Sequence, residues 1–119
     1  MSDEQASPPS MAPEAVAKGL ESGEVQVIDV RDDREWDAGR VPGSRHVLLA
    51  ELPASSESID RETSVVFVCR GGNRSAMAAE AFRTSGYDAY NLAGGLVAWA
   101  EAGLPLDPEG GQVVERSLT

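Results

Sequence analysis

Cysteine, histidine and aromatic residues are scarce in this chain of 119 residues, which has one Cys, one His and two each of Trp, Tyr and Phe. A single cysteine excludes an internal disulfide, a Cys-x-x-Cys redox pair and a zinc site built from several thiolates. A lone thiol is typical of a protein in a reducing compartment, so we expect a cytoplasmic location. With so few aromatic rings, alanine, valine and leucine must supply most of the core.

Positive charge is also scarce, because 10 basic residues face 20 acidic ones and the formal net charge is −10. Such a surface repels nucleic acid and anionic lipid, so we expect neither as a partner. The sequence has no apolar run long enough to span a bilayer, and Met1 to Ser10 lack the basic and apolar regions of a signal peptide. Length and composition fit one domain.

The chain divides into three predicted segments. Residues 1–10 are acidic and rich in Ser and Pro, which predicts a flexible arm; residues 11–107 form a single domain; residues 108–119 form a tail. Helices are predicted from Pro13 to Gly23, over 33–38, over 75–85 and after Gly94-Gly95, strands over 25–30, 46–49, 64–69 and 89–92, and a loop or weak helix over 51–62. Strands that alternate with helices predict an α/β fold with an open, mainly parallel sheet.

The only cysteine, Cys69, closes the apolar strand at 64–69 and is followed by a Gly-rich loop, Arg74 and a helix. Ligands of open parallel sheets bind at the carboxyl ends of the strands, which is where this thiol lies. Loop N–H groups and the first amides of a helix stabilise an anion there. The sequence therefore predicts a reactive thiolate at Cys69.

A free cysteine is often only a small, buried apolar side chain. Packing alone, however, explains neither two glycines nor an arginine directly after it. A cation such as Arg74 at a helix N-terminus opposes the helix dipole, which indicates a nearby anion. Arg70 is either a second cation of the site or a side chain that faces solvent.

The remaining loop residues have structural interpretations. We expect Gly71 and Gly72 to adopt positive φ and to allow close backbone approach, and Asn73 to tolerate the left-handed conformation. Ser75 either donates a hydrogen bond to the thiolate or is simply an early helix residue, and the sequence leaves both open.

Elsewhere, polar and aromatic residues are interpreted as structural. Asp29 and Arg31 are expected to pair with neighbours and to brace the site. Trp36 and Trp99 are assigned to the core. His46 could act as a general base, but we expect it to pack at the start of a strand, because a cysteine that is already ionised needs no base.

Three separated motifs, within residues 28–44, 66–75 and 91–105, occur in an order and spacing that resembles the single-domain rhodanese family of sulfurtransferases. The resemblance extends over about residues 10–106 and implies an open, mainly parallel sheet of about five strands flanked by helices. One position departs from the family, which usually has His where Arg40 stands. We interpret that position as structural or peripheral.

The resemblance implies a mechanism in which Cys69 is the catalytic nucleophile and carries a persulfide. It also implies a substrate-binding loop made of Arg70, Gly71, Gly72, Asn73, Arg74 and Ser75. The expected partners are a small anionic sulfur donor such as thiosulfate and an acceptor such as cyanide or a thiol, with a protein as a possible donor or acceptor. No metal or organic cofactor is needed.

Two other functions compete with this one. Four residues separate Cys69 from Arg74, as in rhodaneses that transfer sulfur, whereas the related phosphatases and arsenate reductases have one more. The shorter loop argues against the phosphatase and arsenate reductase activities. A persulfide carrier, loaded by another protein, needs the same loop, and the sequence separates it poorly from an enzyme.

Overall fold

A computed structural model describes residues 9–116, which form a five-stranded sheet flanked by helices. The strands are β1 (Ser10–Met11), β2 (Val25–Asp29), β3 (Arg45–His46), β4 (Ser64–Val68) and β5 (Ala89–Leu92). The helices are α1 (Pro13–Ser22), α2 (Asp33–Ala38), α3 (Leu52–Ser55), α4 (Asn73–Thr84) and α5 (Gly95–Glu101), with 3-10 turns at Leu49–Glu51 and Ser56–Ser58. The strand order is β1-β5-β4-β2-β3 and every pair is parallel, which confirms the predicted α/β fold.

The central strand β4 is buried on both faces. Val65 and Phe67 point to one apolar cluster, which also contains Phe82 of α4. Val66 and Val68 belong to a second cluster, which α1 and α5 complete. Burial on both faces explains why this strand reads as an unbroken apolar run, and it fixes the position of the cysteine that follows.

Local signals set the bounds of the first two helices as predicted. Pro13 begins α1, and Gly23 ends it in a left-handed conformation with φ of 81°. At the start of α2, Asp32 accepts a hydrogen bond from the Glu35 backbone, and the Glu35 side chain accepts one from the Asp32 backbone. This reciprocal capping box satisfies amides that the first turn would otherwise leave unpaired.

Three elements differ from the predicted ones. The strand expected over 46–49 is shorter, because β2 ends at Asp29 and only Arg45 and His46 have partners in it. Helix α4 begins at Asn73 and not at Ser75. Ser10, at the end of the predicted arm, pairs with Asn91 in the edge strand β1, whose two residues are too few to give a strand signal. Residues 1–8 of that arm lie outside the described residues.

Residues 107–116, which we call the C-terminal segment, contact the body of the domain although the sequence predicts no element there. The backbones of Arg40 and Asp107 exchange two hydrogen bonds of 3.0 and 2.8 Å. The Gln112 N–H donates to the Ala38 carbonyl at 2.8 Å, and Val113 packs against the second apolar cluster. These contacts join residues far apart in the chain, which local composition does not encode.

Within residues 9–116, no helix has both the length and the apolar character needed to cross a membrane.

A buried ion pair connects β2 with the end of α2. Asp29 and Arg31 are both fully buried, and the Arg31 Nη2 lies 2.8 Å from Asp29 Oδ2 and 2.7 Å from the Gly39 carbonyl oxygen. The predicted structural pairing of these residues is thus confirmed.

We expect Asp29→Asn to lower the free energy of unfolding by about 3–5 kcal/mol, because it leaves the Arg31 charge buried without its counterion. Urea denaturation of the two proteins measures this difference. Asp37→Asn is the matched control, since it removes the same charge from an exposed position of α2. Equal stability of the two variants would contradict the structural role.

Candidate active site

Cys69 lies directly after β4, and its buried sulfur faces hydrogen-bond donors of the following loop. The Gly72 N–H lies 3.1 Å from Sγ, the Ser75 N–H 3.4 Å and the Ser75 hydroxyl 3.2 Å. The thiol is 1% exposed and Ser75 is fully buried. The sulfur thus lies within hydrogen-bond distance of two N–H groups and one hydroxyl. Ser75 is both an early residue of α4 and a residue whose N–H points at the sulfur.

Part of the predicted substrate-binding loop contacts the Cys69 sulfur directly. Six loop residues were predicted to bind the substrate, and Gly72 and Ser75 are the ones that hydrogen-bond the sulfur. Gly72 has the predicted positive φ, 109°. The prediction is wrong for Gly71 and Asn73, because every other positive φ among residues 9–116 belongs to a glycine elsewhere. One left-handed residue suffices to turn the chain from the loop into α4, which begins at Asn73.

Helix α5 holds the loop from behind. The Leu96 N–H donates to the Cys69 carbonyl at 2.8 Å, and the Val97 N–H donates to the Arg70 carbonyl at 3.0 Å. This approach requires glycine at position 95, where φ is 65° and a Cβ atom would lie 2.7 Å from the Cys69 carbonyl oxygen. The third sequence motif therefore supports the loop of the second.

Arg74 is fixed by a carboxylate that sequence reasoning missed. Its two terminal nitrogens lie 2.8 and 2.9 Å from the two carboxylate oxygens of Glu35, a fully buried residue of α2. The hydrogen bond to Glu35 raises the pKa of Arg74, with burial acting in the opposite direction and the Glu35 and Cys69 charges adding to the rise. Arg74 therefore keeps its charge beside the sulfur in a fixed orientation.

The loop opens into a cavity of about 330 Å³, which we call the Cys69 cavity. Its lining residues are Cys69, Arg70, Gly71, Asn73, Arg74, Glu115 and Arg116. The Nε of Arg70 is buried and has no hydrogen-bond partner among residues 9–116. Arg70 thus lines the cavity with its Nε shielded from solvent, and its role as a second cation of the site stays a prediction.

Ser75 has a second neighbour that the sequence did not indicate. Its hydroxyl oxygen lies 2.5 Å from Asn91 Oδ1 at the end of β5. A hydroxyl has one proton, so it cannot donate to Asn91 and to the sulfur at the same time. Asn91 therefore takes part in the orientation of the hydroxyl that faces Cys69.

The other residues singled out in the sequence lie beside the site. His46 is half-buried in β3, where its Nε2 lies 2.7 Å from the Arg31 carbonyl oxygen and its ring stacks on Trp36 with 4.6 Å between centroids.

Trp99 is in the core as predicted, at 2% exposure. The same prediction is wrong for Trp36, which is half-buried between His46 and the Arg40 guanidinium. Arg40 therefore makes a structural contact with the Trp36 ring, 4.8 Å from its centroid.

Metal-ligand clusters and other cavities are the remaining candidates for a functional site within residues 9–116. No group of three His, Cys, Asp or Glu side chains in this part of the chain could hold a metal ion. A larger groove of about 990 Å³ lies between α4 and residues 49–62, with the exposed Met77 in its lining. It contains no residue of the Cys69 loop, so the smaller cavity is the candidate active site.

The chain belongs to the rhodanese-like domain family, whose model matches residues 12–102. It is 35% identical over 103 residues to the thiosulfate sulfurtransferase GlpE of Pseudomonas aeruginosa, covering 86% of this chain and 92% of that protein. It is 34% identical over 76 residues to the putative sulfurtransferase YtwF of Bacillus subtilis, covering 64% of this chain and 74% of that protein.

Solved structures agree with this assignment. A rhodanese-related protein from Thermoplasma volcanium superposes with a TM-score of 0.78 at 27% identity, over 85% of this chain and 99% of that one. Sulfurtransferase chemistry is therefore the general activity that the relatives support.

We expect Gly95→Ala to lower the free energy of unfolding by about 1–3 kcal/mol beyond the cost of its positive φ, because its methyl group overlaps the Cys69 and Arg70 carbonyls. Gly103→Ala is the matched control: its φ is 78° and a Cβ there meets nothing within 4 Å. Thermal unfolding of the two variants measures the difference. If Gly103→Ala costs as much, the close approach of α5 to the loop is not what requires glycine.

Proposed function

We propose that this protein is a sulfurtransferase that moves the outer sulfur of thiosulfate to cyanide or a thiol through a persulfide on Cys69. The observation that carries the proposal is the buried Cys69 sulfur, which faces the N–H groups of Gly72 and Ser75 and opens into a cavity with arginines in its wall. The similarity to a thiosulfate sulfurtransferase supports the choice of donor.

In the first step the Cys69 thiolate attacks the outer sulfur of thiosulfate. A new S–S bond forms to Cys69, the S–S bond of the donor breaks, and sulfite leaves with the bonding electron pair. The terminal sulfur of the resulting persulfide carries the negative charge. The N–H groups of Gly72 and Ser75 stabilise the anion on the cysteine side of this reaction, as an oxyanion hole does for oxygen.

In the second step the acceptor attacks the terminal sulfur of the persulfide. Cyanide forms a C–S bond and leaves as thiocyanate, and the electrons of the broken S–S bond return to Cys69 as its thiolate. A thiolate acceptor takes the same sulfur and becomes a persulfide. Neither step needs a general base, so the position of His46 against Arg31 and Trp36 is compatible with the chemistry.

The arginines of the cavity have different tasks in this proposal. Arg74 forms an ion pair with Glu35, which fixes the orientation of its guanidinium. Its main contribution is therefore a rigid cation at the rim of the loop. Arg70 also lines the cavity and supplies a second positive charge that attracts the sulfonate end of thiosulfate. Binding of the dianion therefore depends on both residues.

The alternatives fit the geometry less well. Four residues separate Cys69 from Arg74, and such a short loop suits a single transferred sulfur atom better than the oxygens of a phosphate or arsenate. A persulfide carrier would use the same loop and differs in its donor. The cytoplasmic location and the exclusion of nucleic acid and membrane as partners stay predictions.

Incubation of the reduced protein with thiosulfate is expected to add one sulfur atom, observed by intact-protein mass spectrometry. Cyanide should remove it, and Cys69→Ala should gain nothing. If the protein gains no sulfur from thiosulfate but gains one from a protein persulfide, the carrier function replaces the proposed enzyme.

We expect Arg74→Lys to lower kcat/KM for thiosulfate by about tenfold or more, because an ammonium group cannot make the two-pronged contact with Glu35 and its charge moves from its place at the cavity. Steady-state assays at constant cyanide measure the effect. Arg83→Lys, on the same helix but outside the cavity lining, is the control and should retain wild-type kinetics. Equal kinetics for both variants would remove Arg74 from the proposed mechanism.

A further inference from the structure

The C-terminal segment contributes to the Cys69 cavity. Glu115 and Arg116 line it together with the loop residues, although more than 40 residues separate them from Cys69 in the sequence. Both side chains are exposed, so they lie where the cavity meets solvent. None of the sequence motifs includes them.

Contacts along the C-terminal segment determine its place. Arg40 and Asp107 hold its start through paired backbone hydrogen bonds, and the Ala38 carbonyl holds Gln112. Near its end, the Arg34 guanidinium donates to the Glu115 carbonyl at 2.5 Å.

Close packing supports these bonds. Gly39 leaves no room for a side chain, since a Cβ there would lie 2.7 Å from the Gln112 nitrogen. The segment thus meets α2 and the residue after it at successive points, and its last described residues reach the cavity in a defined position.

We propose that this segment is a specificity-determining wall of the active site, in which Arg116 attracts anionic donors and Glu115 opposes them. The cavity arginines differ in their partners: Arg74 is paired with the buried Glu35, whereas Arg116 has no carboxylate within salt-bridge distance among residues 9–116. The protein as a whole carries a net charge of −10, so an anionic donor needs a local positive wall.

The choice of thiosulfate as the donor rests on the proposed function, but the charge selectivity of the wall does not. Alkylation of Cys69 by iodoacetate and by iodoacetamide tests the wall directly, because the two reagents differ chiefly in charge. Cys69 is the only cysteine, so the loss of free thiol reports this site alone. The quantity to compare is the ratio of the iodoacetate rate to the iodoacetamide rate.

We expect Arg116→Ala to lower this ratio about three- to fivefold at low ionic strength, as the loss of one partly screened charge contact predicts. Glu115→Gln should raise the ratio. Both effects should shrink in 0.5 M salt, because dissolved ions screen the charges of exposed side chains. Lys18→Ala removes one positive charge from an exposed position of α1, outside the cavity lining, and should leave the ratio unchanged.

A chain shortened to end at Val114 removes the wall residues and keeps the Ala38–Gln112 bond and Val113. Its Cys69 should react faster with iodoacetamide, because the cavity becomes more open. Its ratio of the iodoacetate rate to the iodoacetamide rate should be lower than that of Glu115→Gln. An unchanged ratio in Arg116→Ala, or an unchanged iodoacetamide rate in the shortened chain, would overturn the inference.

The thiosulfate assay separates this inference from the proposed function. If the wild-type protein turns over thiosulfate, Arg116→Ala should raise KM for thiosulfate more than it changes kcat. If the alkylation ratio responds as expected but the protein forms no persulfide with thiosulfate, the wall is real and the proposed donor is wrong.

Discussion

The buried carboxylate of Glu35 is the interaction on which the site depends. One of its oxygens closes the capping box of α2 with Asp32, and both bind the guanidinium of Arg74. Burial of a carboxylate is costly, and here a two-pronged arginine contact and a backbone donor offset that cost. Since α2 also carries Arg34 and Ala38, which hold the C-terminal segment, the same helix positions two walls of the Cys69 cavity.

In the mechanism that we propose, the site separates the stabilisation of sulfur from the attraction of the donor. Backbone and hydroxyl donors of Gly72 and Ser75 contact the buried sulfur, whereas the arginines lie in the cavity beyond it. Fixed dipoles do not compete with the donor for space or charge, and they stay with the sulfur throughout the reaction. The cations act at the entrance, where solvent screens them and where a single side chain changes selectivity more readily than it changes chemistry.

Residues that depend on local sequence were predicted well. The strand before Cys69, the positive φ of Gly72, the helix after the loop and the pairing of Asp29 with Arg31 all involve near neighbours. The residues that were missed come from elsewhere in the chain: Glu35 lies 39 positions from Arg74, and Asn91 lies 16 from Ser75. A Glu at the third position of α2 is visible as a capping signal, but nothing local indicates that its other face binds an arginine of the loop.

The geometry of the C-terminal segment bears on the choice between an enzyme and a carrier. The Cys69 cavity of about 330 Å³ is larger than a small dianion such as thiosulfate. A persulfide on another protein must reach the same buried sulfur, and its bulk meets the wall that Arg34 holds through the Glu115 carbonyl. Transfer between proteins would therefore require the end of this segment to move, whereas transfer from thiosulfate would not. We therefore propose a small donor for the first step, and a protein partner could act in the second step if it presents its thiol on an extended chain.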